Sequence, residues 1–530
     1  MKETPAFASA AAAAPHHLAS EAGRAILAEG GNALEAMIAM AATIAVVYPH
    51  MTGIGGDGFW VFREPGGKVR YIEAAGFAGS KAAISAMRAK ELDEIPPRGP
   101  DAANTVPGAV GGWALALEAA KDLGGRLPFP MLMEDAVRHA REGFAVSGAE
   151  ARWDYDGNPA VVDAPNFKSM FFHEGKPAKQ GTMRKVPALA ATLEQIGRAG
   201  PRDFYRGDIG REIAADMEKL DVPVTRKDLE SYRAVRRPPL SLRLDGVTLY
   251  NSQPPSQGLT QLMIIGMFER LGVKQRDSFE FAHGMIEAIK RALAVRFDVV
   301  TDFDRLKHDP DLFLTAEALA EEAARIDMKR AADWPFKTGG GDTVWMGAID
   351  KNGIAVSYIQ SLFWGYGSGV VLPKTGILLQ NRGTSFSLDP HAVNPLEPGR
   401  RPFHTLNAPL ALFDDGRICS YGTMGGDNQP QITAQTFQRA FRYGQGVSEA
   451  LDAPRFIFSR EDGDKHAFVR VENRFDEGMI RDLRQAGHRV EITPAAYSDA
   501  FGHSGMLVKY PRGKVEADHD PRSDGGAAGV

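Results

Sequence analysis

An α+β chain, two packed β-sheets with helices outside, is what this sequence predicts, and three observations lead there. Strand-like and helix-like stretches come in blocks and do not alternate as strict βαβ units. The texture changes at Thr343: helical periods dominate before it, and a run of strands opens after it. At 530 residues, 44% of them hydrophobic, the chain is long enough to bury a large core.

Residues 18–47 carry apolar positions at helical spacing around the break Gly30-Gly31-Asn32. Two helices are expected, the second from Ala33 and apolar nearly all round, hence buried. Gly53-Ile54-Gly55-Gly56-Asp57-Gly58 matches the dinucleotide pattern G-x-G-x-x-G, but it follows a helix and opens a strand over 59–63, the reverse of the required context. Close backbone packing near a site accounts better for residues without a Cβ. A strand over 69–73 and a short helix over 82–90 precede the rigid loop Ile95-Pro96-Pro97-Arg98-Gly99-Pro100. Amphipathic helices are expected over 113–123 and 130–142, then strands 240–244 and 247–250 joined at Asp245-Gly246. Helices over 259–271, 279–297 and 316–324 lead to a linker, 333–341, that ends in Gly339-Gly340-Gly341.

Beyond the linker, 344–349 and 354–359 form a hairpin turning at Asn352-Gly353. Strands follow over 376–380, 408–413 and 418–422, the last two joined by Asp414-Asp415-Gly416, and then helices over 431–443 and 447–452. The alanine run at 8–14 is the single low-complexity tract.

Composition narrows the function. A net charge of -5 with no basic block argues against nucleic acid. One cysteine, Cys419, rules out an intrachain disulfide framework and a multi-thiolate zinc site, and reads as a small buried side chain. The histidines are scattered, with no His-x-x-x-His or His-Glu-x-x-His helix, so no metal and no cofactor is expected. No stretch of about eighteen apolar residues offers a membrane span, and residues 1–15 lack the Leu-rich segment of a secretory signal. A cytoplasmic location is the expectation.

Thr343, after Asp342 and the glycines, admits two readings. It is either a β-former beginning a strand or the nucleophile of a self-processing junction. In the second, its hydroxyl attacks the Asp342 carbonyl and the peptide is cut. The freed α-amine, with a pKa of about 8, then serves as base for the hydroxyl on the same residue.

The surroundings favour the second reading. Downstream stand Pro373-Lys374-Thr375-Gly376-Ile377-Leu378-Leu379-Gln380-Asn381, Pro398-Gly399-Arg400-Arg401-Pro402, Gly422-Thr423-Met424-Gly425-Gly426 and Ala453-Pro454-Arg455-Phe456. Upstream are Gly30-Gly31-Asn32-Ala33 and Pro49-His50-Met51-Thr52-Gly53-Ile54-Gly55-Gly56, and near the C-terminus stands Asp520-Pro521-Arg522-Ser523-Asp524-Gly525. In that order and spacing the chain resembles, over nearly its whole length, the gamma-glutamyltransferase family of N-terminal-nucleophile (Ntn) hydrolases.

The resemblance implies a four-layer αββα sandwich, cut between Asp342 and Thr343 into a large segment 1–342 and a small segment 343–530. The two would stay associated as one unit, and a dimer of such pairs is compatible with it. It also implies Thr343 as nucleophile, Gly425 and Gly426 as the oxyanion hole, and Ser361 as a second hydroxyl beside the nucleophile.

Two departures from the family pattern bear on the substrate. Where its transpeptidases hold the substrate α-carboxylate with an arginine, the matching stretch here is Gly79-Ser80-Lys81-Ala82. Where they carry an asparagine and an Asp-Asp pair around the γ-glutamyl group, this chain has Phe363 and Thr384-Ser385. A γ-glutamyl head would leave buried charges unpaired, and Lys81 would replace the clamp only as a point charge.

What the chain offers instead is Arg382, in the family's substrate loop with Ser385, as anchor for a small carboxylate, and Phe363 with Trp364 to narrow the pocket. Arg98-Gly99-Pro100, Arg382-Gly383-Thr384-Ser385 and Arg401-Pro402-Phe403-His404-Thr405 look most like the oxamate amidohydrolase branch of the family. His404 and Thr405 stand where the family has hydroxyl residues, which leaves His404 either a pocket donor or a structural histidine. The expected function is an autoprocessed amidohydrolase that cleaves a small, oxamate-like carboxylated amide through a Thr343 acyl-enzyme. A true gamma-glutamyltransferase or glutathione hydrolase with a rebuilt pocket, and a processing-dead binding protein, are the alternatives.

Overall fold

Alternation along single strands fixes the architecture of this chain, whose computed structural model describes residues 3–335, 338, 341–460 and 466–530. In the strand Ala11–Ala14, Ala11 and Ala13 join a core with Phe59, Val61, Trp345 and Leu507. Ala12 and Ala14 join another, with Ala19, Met37 and Trp113 of overlying helices. On a second sheet, Leu410 and Ile418 face the first of these cores, while Ala411 and Cys419 pack with Leu262, Ile286 and Phe437. A period of two that serves two cores on each sheet requires four layers: helices, sheet, sheet, helices.

Each sheet has seven strands, and every pairing within it is antiparallel. One runs Gly526–Gly529, Ala11–Ala14, Asp342–Ile349, Ala355–Phe363, Asp57–Arg63, Val69–Ala74, Val235–Arg237. The other runs Ala6–Phe7, Val515–His519, Ser504–Lys509, Ile418–Thr423, Leu410–Phe413, Val247–Asn251, Leu240–Leu244. Strands from before and after Thr343 are neighbours in both, so neither part of the chain holds a complete sheet.

Helices His17–Ala28, Ala33–Val47 and Ala109–Asp122 cover the first sheet, and Gly258–Arg270, Phe279–Val299 and Gln429–Phe441 the second. The helix Ala33–Val47 starts where it does because Asn32 Oδ1 accepts from the Leu34 and Glu35 amides, and Glu35 accepts the Asn32 amide in return. All of its side chains are buried. Asp350, in the hairpin turn, accepts from the Asn352, Ile354 and Ala33 amides, which ties the turn to that helix's N-terminus. Among the described residues, no helix is long and apolar enough to cross a membrane.

Several boundaries differ from the sequence reading, each for a tertiary reason. The alanine run contains a fully buried strand, Ala11–Ala14, because only small side chains fit between the helix His17–Ala28 and the facing sheet. The helix expected from 113 begins at Ala109; its glycines are tolerated since a Cβ on Gly112 would lie 2.8 Å from Ala74 Cβ and 2.9 Å from Trp60 Nε1. The strand expected over 376–380 shrinks to Ile377–Leu378, paired with Val371–Leu372, because Gln380 donates to the Gly55 carbonyl instead. The helix expected over 82–90 is the single turn and a half Ile84–Ala89. Of the linker 333–341, Phe336, Lys337, Gly339 and Gly340 lie outside the described residues.

Placing a carboxylate in the alanine strand tests this architecture. Ala13→Asp puts an uncompensated charge between the sheets and should cost about 3–5 kcal/mol in denaturant unfolding. A loss below about 1 kcal/mol would mean that the strand is not buried as described.

Candidate active site

Strand pairing brings the predicted residues together at one end of the first sheet. Asp342 opposes Phe363 and Val344 opposes Gln360, so the ladder slips by one residue at Thr343. Such a bulge re-aims a side chain. Thr343 Oγ1 lies 2.7 Å from the Asp342 carbonyl oxygen and 3.1 Å from Ser361 Oγ. Ser361 Oγ lies 2.7 Å from the same carbonyl oxygen and accepts the Phe363 amide at 2.8 Å. Two hydroxyls thus converge on one carbonyl. Thr343 is only 1% exposed.

The Asp342 side chain is fixed as well: its Oδ2 accepts the Gly365 amide at 2.6 Å. Burial raises its pKa, against the opposing pull of that amide and of Arg98. Arg98 itself donates to the Gly365 carbonyl at 2.6 Å and to that of Gly367, holding the loop that carries Trp364.

The glycine-rich stretch near the N-terminus sits under this end of the strand. A Cβ on Gly56 would fall 2.0 Å from the Ser361 carbonyl oxygen, and one on Gly55 would fall 2.1 Å from that of Leu378. The Gly56 carbonyl accepts the Gly108 and Ala109 amides. The stretch serves close backbone approach, not a nucleotide.

Gly425 and Gly426 follow the strand Ile418–Thr423, with φ of 126° and 58°, a conformation that favours glycine. Among the described residues, neither amide donates to a protein acceptor. The Gly426 carbonyl is held by Gln257 Nε2 at 2.8 Å, and the same nitrogen donates to the Thr405 carbonyl at 2.9 Å. Gln257 is in turn held by Arg296, which pairs with Asp427. Gly341, two residues before Thr343, packs against Gly426: a Cβ there would lie 3.3 Å from Gly426 Cα. The glycine pair therefore borders the junction.

Arg382 is 1% exposed, and its guanidinium carbon lies 3.6 Å from the centre of the Phe363 ring. It donates to Thr405 Oγ1 at 3.1 Å and, at 3.4 Å, to Ser385 Oγ and the Phe403 carbonyl. Among the described residues, no carboxylate forms an ion pair with it. Burial lowers its pKa to about 9, while Asp57 and Asp427 push the other way, so it remains charged at neutral pH. Phe363 has φ of 87°, outside the range bulky side chains prefer, and stacks on Trp364 at 5.0 Å.

His404 lies behind this group, fully buried with its ring edge-on to Phe59. Its Nε2 is 3.2 Å from Asp57 Oδ2, off the line of a hydrogen bond. Burial, and next the Arg382 guanidinium, lower its pKa to about 4, so the ring is neutral at pH 7. Asp57 is held by the Gly76 and Gly108 amides at 2.9 Å. Lys81 is exposed and makes no hydrogen bond or ion pair with these residues.

Thr343, Ser361, Phe363, Arg382, Ser385, Thr405 and the glycine pair thus form one connected group. Sequence reasoning missed Gln257, Arg296 and Asp57, which hold it from behind. A hint lay in Gln257, a polar residue between Ser256 and the start of an apolar helix, but nothing local says what it would bind. Two of the histidines that read as scattered also meet: His283 and Glu287 lie next to His488, about 14–20 Å along the helix Phe279–Val299 from Arg296.

Comparison with known proteins gives a consistent picture. A family model described as gamma-glutamyltranspeptidase matches residues 19–530. The chain is 45% identical over 519 residues to an oxamate amidohydrolase proenzyme from Klebsiella pneumoniae, covering 98% of each. It is 35% identical over 522 residues to the glutathione hydrolase-like YwrD proenzyme of Bacillus subtilis, covering 97% of each. Among solved structures, cephalosporin acylase from Bacillus halodurans superposes with a TM-score of 0.91 at 30% identity, covering 100% of this chain and 97% of that one.

The tight approach of Gly56 gives a stability test. Gly56→Ala should cost about 1–3 kcal/mol in denaturant unfolding, whereas Gly66→Ala, whose Cβ meets nothing within 4 Å, should cost little. Equal effects would contradict the packing described.

Proposed function

This chain belongs to the gamma-glutamyltranspeptidase family of Ntn hydrolases, and from that premise we propose that it is a proenzyme that cuts itself before Thr343 and then hydrolyses a small carboxylated amide. The observation that carries the proposal is the shared carbonyl of Asp342, with the hydroxyls of Thr343 and Ser361 each 2.7 Å from its oxygen.

In the processing step, Thr343 Oγ1 adds to the Asp342 carbonyl carbon while Ser361 donates to the developing oxyanion. The hydroxyl proton passes to the Thr343 nitrogen, the C–N bond breaks, the acyl group is left on Oγ1, and water hydrolyses the resulting ester. The products are the Asp342 carboxylate and the free Thr343 amine. Gly341 then has no covalent tether to the site, and the ground beside Gly426 becomes available to substrate. Because the sheets interleave strands from 1–342 and 343–530, the two segments stay together after the cut.

In turnover, the α-amine accepts the Thr343 hydroxyl proton as Oγ1 attacks the substrate carbonyl. The Gly425 and Gly426 amides, which have no protein acceptor among the described residues and lie beside the junction, take the tetrahedral oxyanion. The proton passes to the leaving nitrogen, ammonia departs from an unsubstituted amide, and water activated by the same amine releases the acid.

The support for a carboxylated substrate is Arg382, a buried guanidinium without a carboxylate partner among the described residues. Its Phe363 face restricts the pocket to a small acid such as oxamate, the substrate in the name of the Klebsiella relative.

Two experiments test the reading. Mass spectrometry of the active protein should find chains 1–342 and 343–530, and Thr343→Ala should leave one intact chain; active, uncut wild-type protein would sink the mechanism. Arg382→Ala should still be cut, yet lose about ten- to a hundredfold in kcat/KM for oxamate, the scale of a charged hydrogen bond. An unchanged value, or a γ-glutamyl anilide turned over faster than oxamate, would refute the carboxylate anchor.

A further inference from the structure

The helix Phe279–Val299 presents His283 and Glu287 on one face, four residues apart, and the turn after the helix Glu477–Gln485 brings His488 against them. All three are buried. His283 Nε2 lies 2.8 Å from the Asp327 carbonyl oxygen, an acceptor only, so it carries the proton and Nδ1 keeps its lone pair. That Nδ1 accepts from His488 Nε2, 2.8 Å away, so an ion takes Nε2 as a ligand only when that proton moves to His488 Nδ1. Glu287 Oε1 is 3.9 Å from His488 Nε2, and Glu287 Oε2 accepts the Ala332 amide at 3.2 Å.

We propose that His283 Nδ1, His488 Nε2 and Glu287 Oε1 form a zinc site away from the Thr343 group. Two imidazoles and a carboxylate are a zinc donor set. Ligand atoms on a tetrahedral zinc lie about 3.3 Å apart, given bonds of about 2.05 Å. Two of the three spacings, 2.8 and 3.9 Å, bracket that value, and all the ligand atoms lie within 4.8 Å of one another, so shifts of at most about 1.5 Å gather them around an ion. The partners of the ligands are already in place: a backbone carbonyl orients His283, and a backbone amide orients Glu287.

His488 also lines a cavity of about 550 Å³ shared with Lys290, Trp334, Phe458, Arg460 and Arg489. The opposing group is Lys290, whose ammonium lies 2.8 Å from Glu287 Oε1 and 2.7 Å from the Ala332 carbonyl. It competes with the ion for the same carboxylate oxygen, which sets the affinity below that of a dedicated cage. An ion here pins residues 327–332, the segment from which the linker to Thr343 departs.

The test uses the full-length protein, stripped with a chelator, with Zn(II) followed by calorimetry and Co(II) by its visible spectrum. One saturable ion per chain with tetrahedral cobalt bands is expected. His488→Ala and Glu287→Gln should weaken it about tenfold or more, and Lys290→Met should tighten it. No saturable ion in wild-type protein, or equal binding in wild type and both ligand variants, overturns the proposal. The wild-type spectrum decides the matter even where a variant fails to fold.

Discussion

A single carbonyl oxygen, that of Asp342, accepts from two hydroxyls, and the rest of the site is arranged to keep it doing so. Thr343 Oγ1 reaches back to its own peptide, while Ser361, which with Leu362 forms the bulge opposite Thr343, reaches the same oxygen from the neighbouring strand. The shared acceptor thus depends on sheet register, and register depends on two cores at once, because the strands Asp342–Ile349 and Ala355–Phe363 bury both faces.

Close backbone approach is the second requirement, and it accounts for the glycines around the junction. Gly55 and Gly56 let one loop lie against Leu378 and Ser361, and Gly426 lets Gly341 lie against it. Gln257 reads the Gly426 and Thr405 carbonyls with one nitrogen, coupling the glycine pair to the loop beneath Arg382. A shift in either is therefore felt by the other.

Charge is distributed unevenly behind this frame. Most buried arginines have acids at hand: Arg455 pairs with Asp520, and Arg522 with Glu472 and Asp520. Arg382 has instead an aromatic face, two hydroxyls and a carbonyl, which solvate a guanidinium without neutralising it. His404, the neighbour able to accept a proton, is held neutral by burial and by that same guanidinium. The guanidinium thereby keeps its positive charge at neutral pH.

The sequence by itself determined the family, the sandwich and most helices and strands over 18–142 and 240–452, but it left the helices between them, Pro187–Ala199 and Asp208–Lys219 among them, unread. Those features rest on local periodicity, turn chemistry and motifs read in order, all of which are written along the chain. Only the tertiary structure decided that the alanine run is a strand, because alanine has no strong strand preference and is held there by lack of room. The strands Ser504–Lys509 and Val515–His519, unread in the sequence, likewise depend on partners far away in the chain. Gln257, Asp57 and the meeting of His283 with His488 were hidden for the same reason: each is defined by contacts between residues more than a hundred positions apart, and single-chain patterns carry no record of such distances.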